Sequence, residues 1–363
     1  MLIGFSFLVS SIAAEEPLKN AAEVQSLSNQ QAGKRHEVRL RGVVTFTWPW
    51  STSELTVQDE TGAVLLPAVA LPPQCEVGAL VEIEGRTEAG GFGPIVQPDL
   101  VRVIGQAPLP KANPASHLEL LAPTMHAQRV SISGVVRGQR VNPELGLNWL
   151  ALDIDTGGSR LTVNVTREII GHPELVDAKV KVEGVTLHSV DPYRQATFPM
   201  IFALTFEAVE VIDPALTKPF DQTATPVNQI LRTTNPGRIG RQIRVRGTVT
   251  FESPDEDSFF LQDDTGGIEI LLRRSLVPQV GESVDVIGFA EPGFISPLLK
   301  DADWRPARSD MFSTPISVSA AEALRHDGRL VKIEGRLIDV IPHPDTAILL
   351  MENNTFPFPA VIP

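Results

Sequence analysis

A block of the chain is written out more than once, and this repetition limits the fold more than any other feature. Val38-Arg39-Leu40-Arg41-Gly42-Val43-Val44-Thr45 returns as Ile243-Arg244-Val245-Arg246-Gly247-Thr248-Val249-Thr250. Looser versions are Val130-Ser131-Ile132-Ser133-Gly134-Val135-Val136 and Val331-Lys332-Ile333-Glu334-Gly335-Arg336-Leu337. All four alternate apolar and polar residues, the period of a half-buried β-strand. A second mark follows in the same order. Gln58-Asp59-Glu60-Thr61-Gly62 matches Gln262-Asp263-Asp264-Thr265-Gly266, with Asp153-Ile154-Asp155-Thr156-Gly157 as a relative. Acidic residues and Thr-Gly between two apolar strands read as a hairpin turn. The third mark is another strand that closes on glycine, at Gly85, Gly184 and Gly288.

Each copy therefore carries about five strands: a long first strand, a hairpin, a connection and a final pair. A repeat of this length is a whole domain. Closing five strands into a barrel removes their exposed edges, and a glycine within the first strand suits a barrel corner. The expected fold is all-β, a row of five-stranded OB-fold barrels. Capping-box sequences at Ser116 to Glu119 and Ser319 to Glu322, and a similar run at Asn20 to Glu23, predict a short lead-in helix before each barrel. Proline-rich joints such as Pro108-Leu109-Pro110 and Asp213-Pro214 mark boundaries. The division is 15–110, 111–216 (divergent) and 217–312, with a partial fourth copy over 313–363.

The run from Arg41-Gly42-Val43-Val44-Thr45 to Gln58-Asp59-Glu60-Thr61-Gly62, with its third-copy counterpart, resembles the OB-fold repeats in the exported N-terminal part of bacterial sensor histidine kinases. The resemblance implies a periplasmic sensory or spacer region, followed by a membrane helix and cytoplasmic signalling domains. Two observations agree with it. The apolar run Leu2 to Val9, the small residues to Ala14 and the polar Glu15-Glu16 read as a signal peptide over 1–14, so the chain is expected to be exported to the periplasm or beyond. The fourth copy reaches only its first strands before Pro363, so the natural protein is expected to continue and to find its membrane attachment there.

Function classes are narrowed by what the side chains offer. The 31 Lys and Arg against 44 Asp and Glu give a net charge of −13, which repels phosphate backbones and counts against nucleic acid as a partner. Cys75 is the one cysteine, which excludes an internal disulfide and points to an apolar filler. The seven histidines, His36, His117, His126, His172, His188, His326 and His343, show none of the spacings of a zinc site. Asp59/Glu60, Asp153/Asp155 and Asp263/Asp264 occupy one turn slot and read as solvated turn residues. No catalytic constellation, cofactor motif or metal site is expected, and the chain is read as a non-enzyme.

Basic residues on the first strand have a plain account. Arg39 and Arg41 point outward, and Glu82 and Glu84 on the fourth strand are expected to face them, with Asp285 in the same role in the third copy. Aromatic residues supply the candidate ligand surface. Phe46, Trp48 and Trp50 occupy the connection after the first strand, through which OB barrels bind. They suit a carbohydrate or a partner protein, or they pack against the next module. Single-stranded nucleic acid is the weakest of these readings.

Overall fold

A computed structural model describes residues 16–48, 54–67, 72, 74–142, 149–157, 159–190, 197–232, 240–253, 257–273, 276–307, 314–343 and 346–362. The expected signal peptide and Trp50 lie outside them. The chain divides into two compact units, one formed by residues up to 173 with 179–213, the other by 174–178 with 214–363.

The first unit holds two barrels. Barrel one consists of β1 (Glu37–Thr47), β2 (Leu55–Gln58), β3 (Ala63–Leu66), β4 (Ala79–Ala89) and β5 (Pro94–Gln106), in sheet order β3-β2-β1-β4-β5. Helices α1 (Ala21–Gln25) and α2 (Asn29–Ala32) precede it. Val24, Val38, Leu40, Val44, Leu55, Val57, Val81 and Ile83 fill its core. β6 (Asn113–Pro114) and α3 (His117–Leu120) lead into barrel two. That barrel comprises β7 (Arg129–Asn142), β8 (Trp149–Asp155), β9 (Arg160–Val165), β10 (Lys179–Val190) and β11 (Thr197–Ala203), with β12 (Val209–Asp213) continuing along β10. β7 pairs with both β8 and β10, and β9 runs parallel to β11, so the sheet closes in the order first-second-third-fifth-fourth-first. The copy with the loosest sequence marks is thus a complete barrel.

Barrel three, in the second unit, closes in the same order. Its strands are β13 (Gln242–Glu252), β14 (Ser258–Gln262), β15 (Gly267–Leu272), β16 (Ser283–Glu291) and β17 (Leu298–Pro306). β15 and β17 form the parallel pair. This is the OB topology. The described part of the fourth copy has β18 (Ile316–Ser317) paired with β19 (Val331–Lys332), then a meander of β20 (Arg336–Pro342), β21 (Ala347–Asn353) and β22 (Phe356–Ile362).

The repeated glycine explains how one strand serves two neighbours. A Cβ on Gly42 would sit 2.6 Å from Val57 Cγ1 and 2.8 Å from Gln58 O. On Gly134 and Gly247 it would meet Asp155 O and Gln262 O. Just beyond each glycine the register slips, between Val44 and Phe46, Val136 and Gly138, and Val249 and Phe251. The first strand therefore bends tightly, pairing with the fourth strand before the glycine and with the second after it.

Candidate functional site

The acidic turn does more than reverse the chain. Asp59 Oδ1 accepts from Thr61 N (2.7 Å), Thr61 Oγ1 (2.7 Å) and Gly62 N (2.9 Å), which fixes the turn. Its Oδ2 accepts from Ala21 N (2.8 Å), and Thr61 Oγ1 accepts from Ala22 N (3.0 Å), so the turn supplies acceptors to the first amides of α1. The neighbouring Gln58 Oε1 accepts from Arg129 N (2.9 Å) at the start of β7. The arrangement recurs in the second unit. Asp263 Oδ2 accepts from Val227 N (2.9 Å), Thr265 Oγ1 from Asn228 N (3.2 Å), and Gln262 Oε1 from Leu330 N (2.8 Å). These carboxylates are structural acceptors that tie a barrel to its own lead-in segment, while the adjacent glutamine holds the following copy. Asp153 and Asp155, in the related slot, pair with Arg140 (2.6 Å) and Arg137 (3.0 Å).

Of the residues expected to bind a ligand, Phe46 is 1% exposed. It belongs to an apolar cluster with Val185, Leu187 and Phe202 of barrel two, onto which Trp48 and Leu65 pack. Trp48 stands edge-on to Phe202 with centroids 4.9 Å apart. In OB barrels the second and third strands and the loops after the first and fourth strands form the usual binding face. In barrel one that face is occupied by barrel two.

The hairpin between β4 and β5 completes the contact. Phe92 stacks flat on His188, 3.9 Å between centroids and 3° between planes. His188 Nε2 lies 2.6 Å from Leu120 O, and its Nδ1 lies 3.2 Å from Nδ1 of His126. A carbonyl only accepts, so Nε2 of His188 carries a proton. In the neutral ring Nδ1 is then an acceptor, and His126 Nδ1–H donates to it. Burial, assisted by the charge of His188, lowers the His126 pKa to about 4, and burial also lowers that of His188. The histidines read as dispersed are here a pair, and His188 lies on a strand. A separation of 62 residues gave no signal for it.

On the corresponding face of barrel three, apolar side chains among the described residues are exposed. Phe251 stands where Phe46 does relative to the strand glycine, yet it is 42% exposed. It meets Phe260 on β14 edge-on at 6.1 Å. On the hairpin between β16 and β17, Phe294 is fully exposed and Ile295 is 53% exposed. Behind this face, on β13, β16 and β17, the buried carboxylate of Asp285 receives Arg244 (2.7 Å), Arg246 (2.8 Å) and Arg305 (3.4 Å). Its pKa is nonetheless lowered. Burial is the largest single influence and pushes it up, but hydrogen bonds and charge from Arg246 and Arg244 together outweigh that. In barrel one the expected register is found, Arg39 opposite Glu84 and Arg41 opposite Glu82, with Arg102 3.6 Å from Glu82.

Among the described residues no group of three or more His, Cys, Asp or Glu is placed to hold a metal ion. Cys75 is buried, which raises its thiol pKa. No helix of the described residues is long and apolar enough to cross a membrane.

No protein-family model matches the chain, and no curated protein matches it. Solved structures do. The p204 HINb domain is 8% identical, over 50% of this chain and 96% of that one, with a TM-score of 0.22. The Ifi202 HINa domain in complex with 20 bp double-stranded DNA is 12% identical, over 50% and 96%, with a TM-score of 0.19. A multidomain protein with nucleic acid binding domains from Streptococcus pneumoniae is 12% identical, over 77% and 76%, with a TM-score of 0.14. Several of the matched structures hold double-stranded DNA, contrary to the expectation drawn from net charge that nucleic acid is an unlikely partner. The physical reason is that a net charge is a sum over the whole chain.

Proposed function

We propose that this chain is the non-catalytic sensory region of an exported bacterial signalling protein, and that barrel three carries its binding face for a polypeptide partner. One observation carries the reading. The positions that barrel one uses to hold barrel two, at Phe46 and on the β4–β5 hairpin, reappear in barrel three as Phe251 and the pair Phe294 and Ile295, exposed to solvent. Isolated exposed apolar residues are ordinary, but several aromatic and aliphatic side chains on one binding face of a barrel mark an interaction site. Glu252 and Asp257 beside them are exposed too, so the matching segment is apolar with basic flanks.

A displayed-peptide library selected against the intact chain tests this. Binders with an apolar centre and Lys or Arg flanks are expected, and Phe251→Ser/Phe294→Ser is expected to weaken them at least tenfold, which is about 1.4 kcal/mol. Binders indifferent to that double substitution would refute the site. A glycan or oligonucleotide captured at the same face would replace the polypeptide as its ligand.

Export is supported by the Leu2 to Val9 apolar run and the small residues before Glu15. The mature protein recovered from outside the cytoplasm should begin at Ala14 or Glu15. Full-length protein retained in the cytoplasm would refute export.

A further inference from the structure

We propose that the joint between the first and second barrels is proton-sensitive, closed when His126 and His188 are neutral and loosened when one or both take up a proton. The proposal goes beyond the reading of barrel three and does not depend on it.

The geometry is that of a neutral lock. The Phe92 ring from barrel one lies flat on His188, which is held from the other side by the Leu120 carbonyl. Only one proton fits between the two Nδ1 atoms at 3.2 Å. One added proton leaves a single hydrogen between the two Nδ1 atoms and a cation in the pair, whereas a second puts an N–H on both and turns the hydrogen bond into a repulsion. That first proton, on Nε2 of His126, keeps the bond but places a cation on a buried ring beside a second histidine. The hollow of about 240 Å³ beside His126 is lined from the α1–α2 segment by Gln25, Ser28 and Asn29, from β3 by Ala63 and Leu65, and from the hairpin by Pro94, with no ionisable side chain other than His126 itself. The partner histidine is the charge that counts, and its sign is wrong.

The direction of the pH effect follows. A histidine whose pKa is lower in the closed form than in the open form binds fewer protons when closed, so closure strengthens as pH rises. The closed joint is complete above about pH 6.5, the ordinary histidine value. It weakens as pH falls towards about 4, the value for closed His126. At pH 5, His126 alone reduces the ratio of closed to open joint roughly thirtyfold.

The test is hydrogen–deuterium exchange on the intact chain between pH 7.5 and 4.5, corrected for intrinsic rates and repeated with a chelator. Segments 88–95, 118–128 and 184–190 should lose protection below pH 6 while the barrel-three core around Leu261 and Ile270 stays protected. In His126→Asn, whose amide can still donate to His188 Nδ1, the loss at pH 5 should shrink at least threefold. Unchanged protection in the natural chain, equal sensitivity in His126→Asn, or abolition of the effect by chelator would overturn the proposal. Should His126→Asn fail to fold, imidazole proton shifts of the natural chain decide. Two of the seven histidines should titrate well below the rest, and seven midpoints near 6.5 would overturn it.

Discussion

Asp285 and Glu82 stand at the same place in two copies of one barrel, and their surroundings give them different weights. Each lies opposite the arginine that precedes the strand glycine, and each is approached by an arginine from the fifth strand. Asp285 is 2% exposed and Glu82 46%. Replacing Asp285 by Asn strands three guanidinium groups around a neutral amide, and breaking a buried ionic group costs about 3–5 kcal/mol. Urea denaturation should show that loss for Asp285→Asn and less than about 1 kcal/mol for Glu82→Gln. Because the Asp285 pKa lies below its ordinary value, its contribution is present above about pH 4 and lost as pH falls through the folded value. Alternation along the strand made the pairing of Arg41 with Glu82 legible, since it fixes which side chains share a face. Arg102 and Arg305 were not, because no period links a fifth strand to a first. The second barrel puts a base at this position. Lys181 takes the acid's place, opposite Ser133 on the first strand, and its ammonium pairs with Glu183 of its own strand at 3.4 Å, which a search for matching residues passes over.

The Gln-Asp-x-Thr-Gly turn is legible as a turn, because its hydrogen bonds span two or three residues. Its other partners are 38 and 71 residues away, at Ala21 and Arg129, and no local pattern reports them. The lead-in bridges are hidden for the same reason. Leu18 meets Val38, Asn113 meets Val130 and Ile316 meets Val331 in short parallel pairs, two residues long at most and without sequence character. Asp59→Ala removes acceptors from both the turn and α1. It should cost about 1–2 kcal/mol, the scale of a lost helix cap, and raise hydrogen exchange at Ala21 and Ala22 first. In the second unit, Gly267 has no room for a side chain, since a Cβ would meet the backbone of Gly328 and Arg329. Gly267→Ala should therefore cost about 1–3 kcal/mol through overpacking and release the Gln262 to Leu330 hydrogen bond, with protection lost at Leu330 while Ile268 keeps its own.

Taken as a whole chain, the copies are alike in strands and unlike in what covers them. Barrel two carries Val185 and Leu187 where barrel one, at the same offsets from its fourth-strand glycine, has Arg86 and Glu88, and Phe202 pairs with Val185 where Gln97 pairs with Arg86. Barrel one thus holds the following barrel through Phe46 and Trp48, and it carries polar side chains where barrel two has its apolar seat. The number and order of barrels follow from the repeated marks, whereas this division of roles rests on contacts between copies that no single copy encodes. It has a measurable consequence. Cut from the chain as residues 15–110, barrel one would expose Phe46 and Trp48, and Phe46 alone is worth about 1.5–3 kcal/mol of burial. The isolated barrel should self-associate in light scattering, and Phe46→Ser/Trp48→Ser should return it to a monomer. The same double substitution in residues 15–213 should do the opposite. There it removes the core of the joint, lowers the unfolding midpoint and frees the β4–β5 hairpin from His188. A monomeric natural 15–110 barrel, melting as the 15–213 chain does, would mean that each barrel is stable without its neighbour.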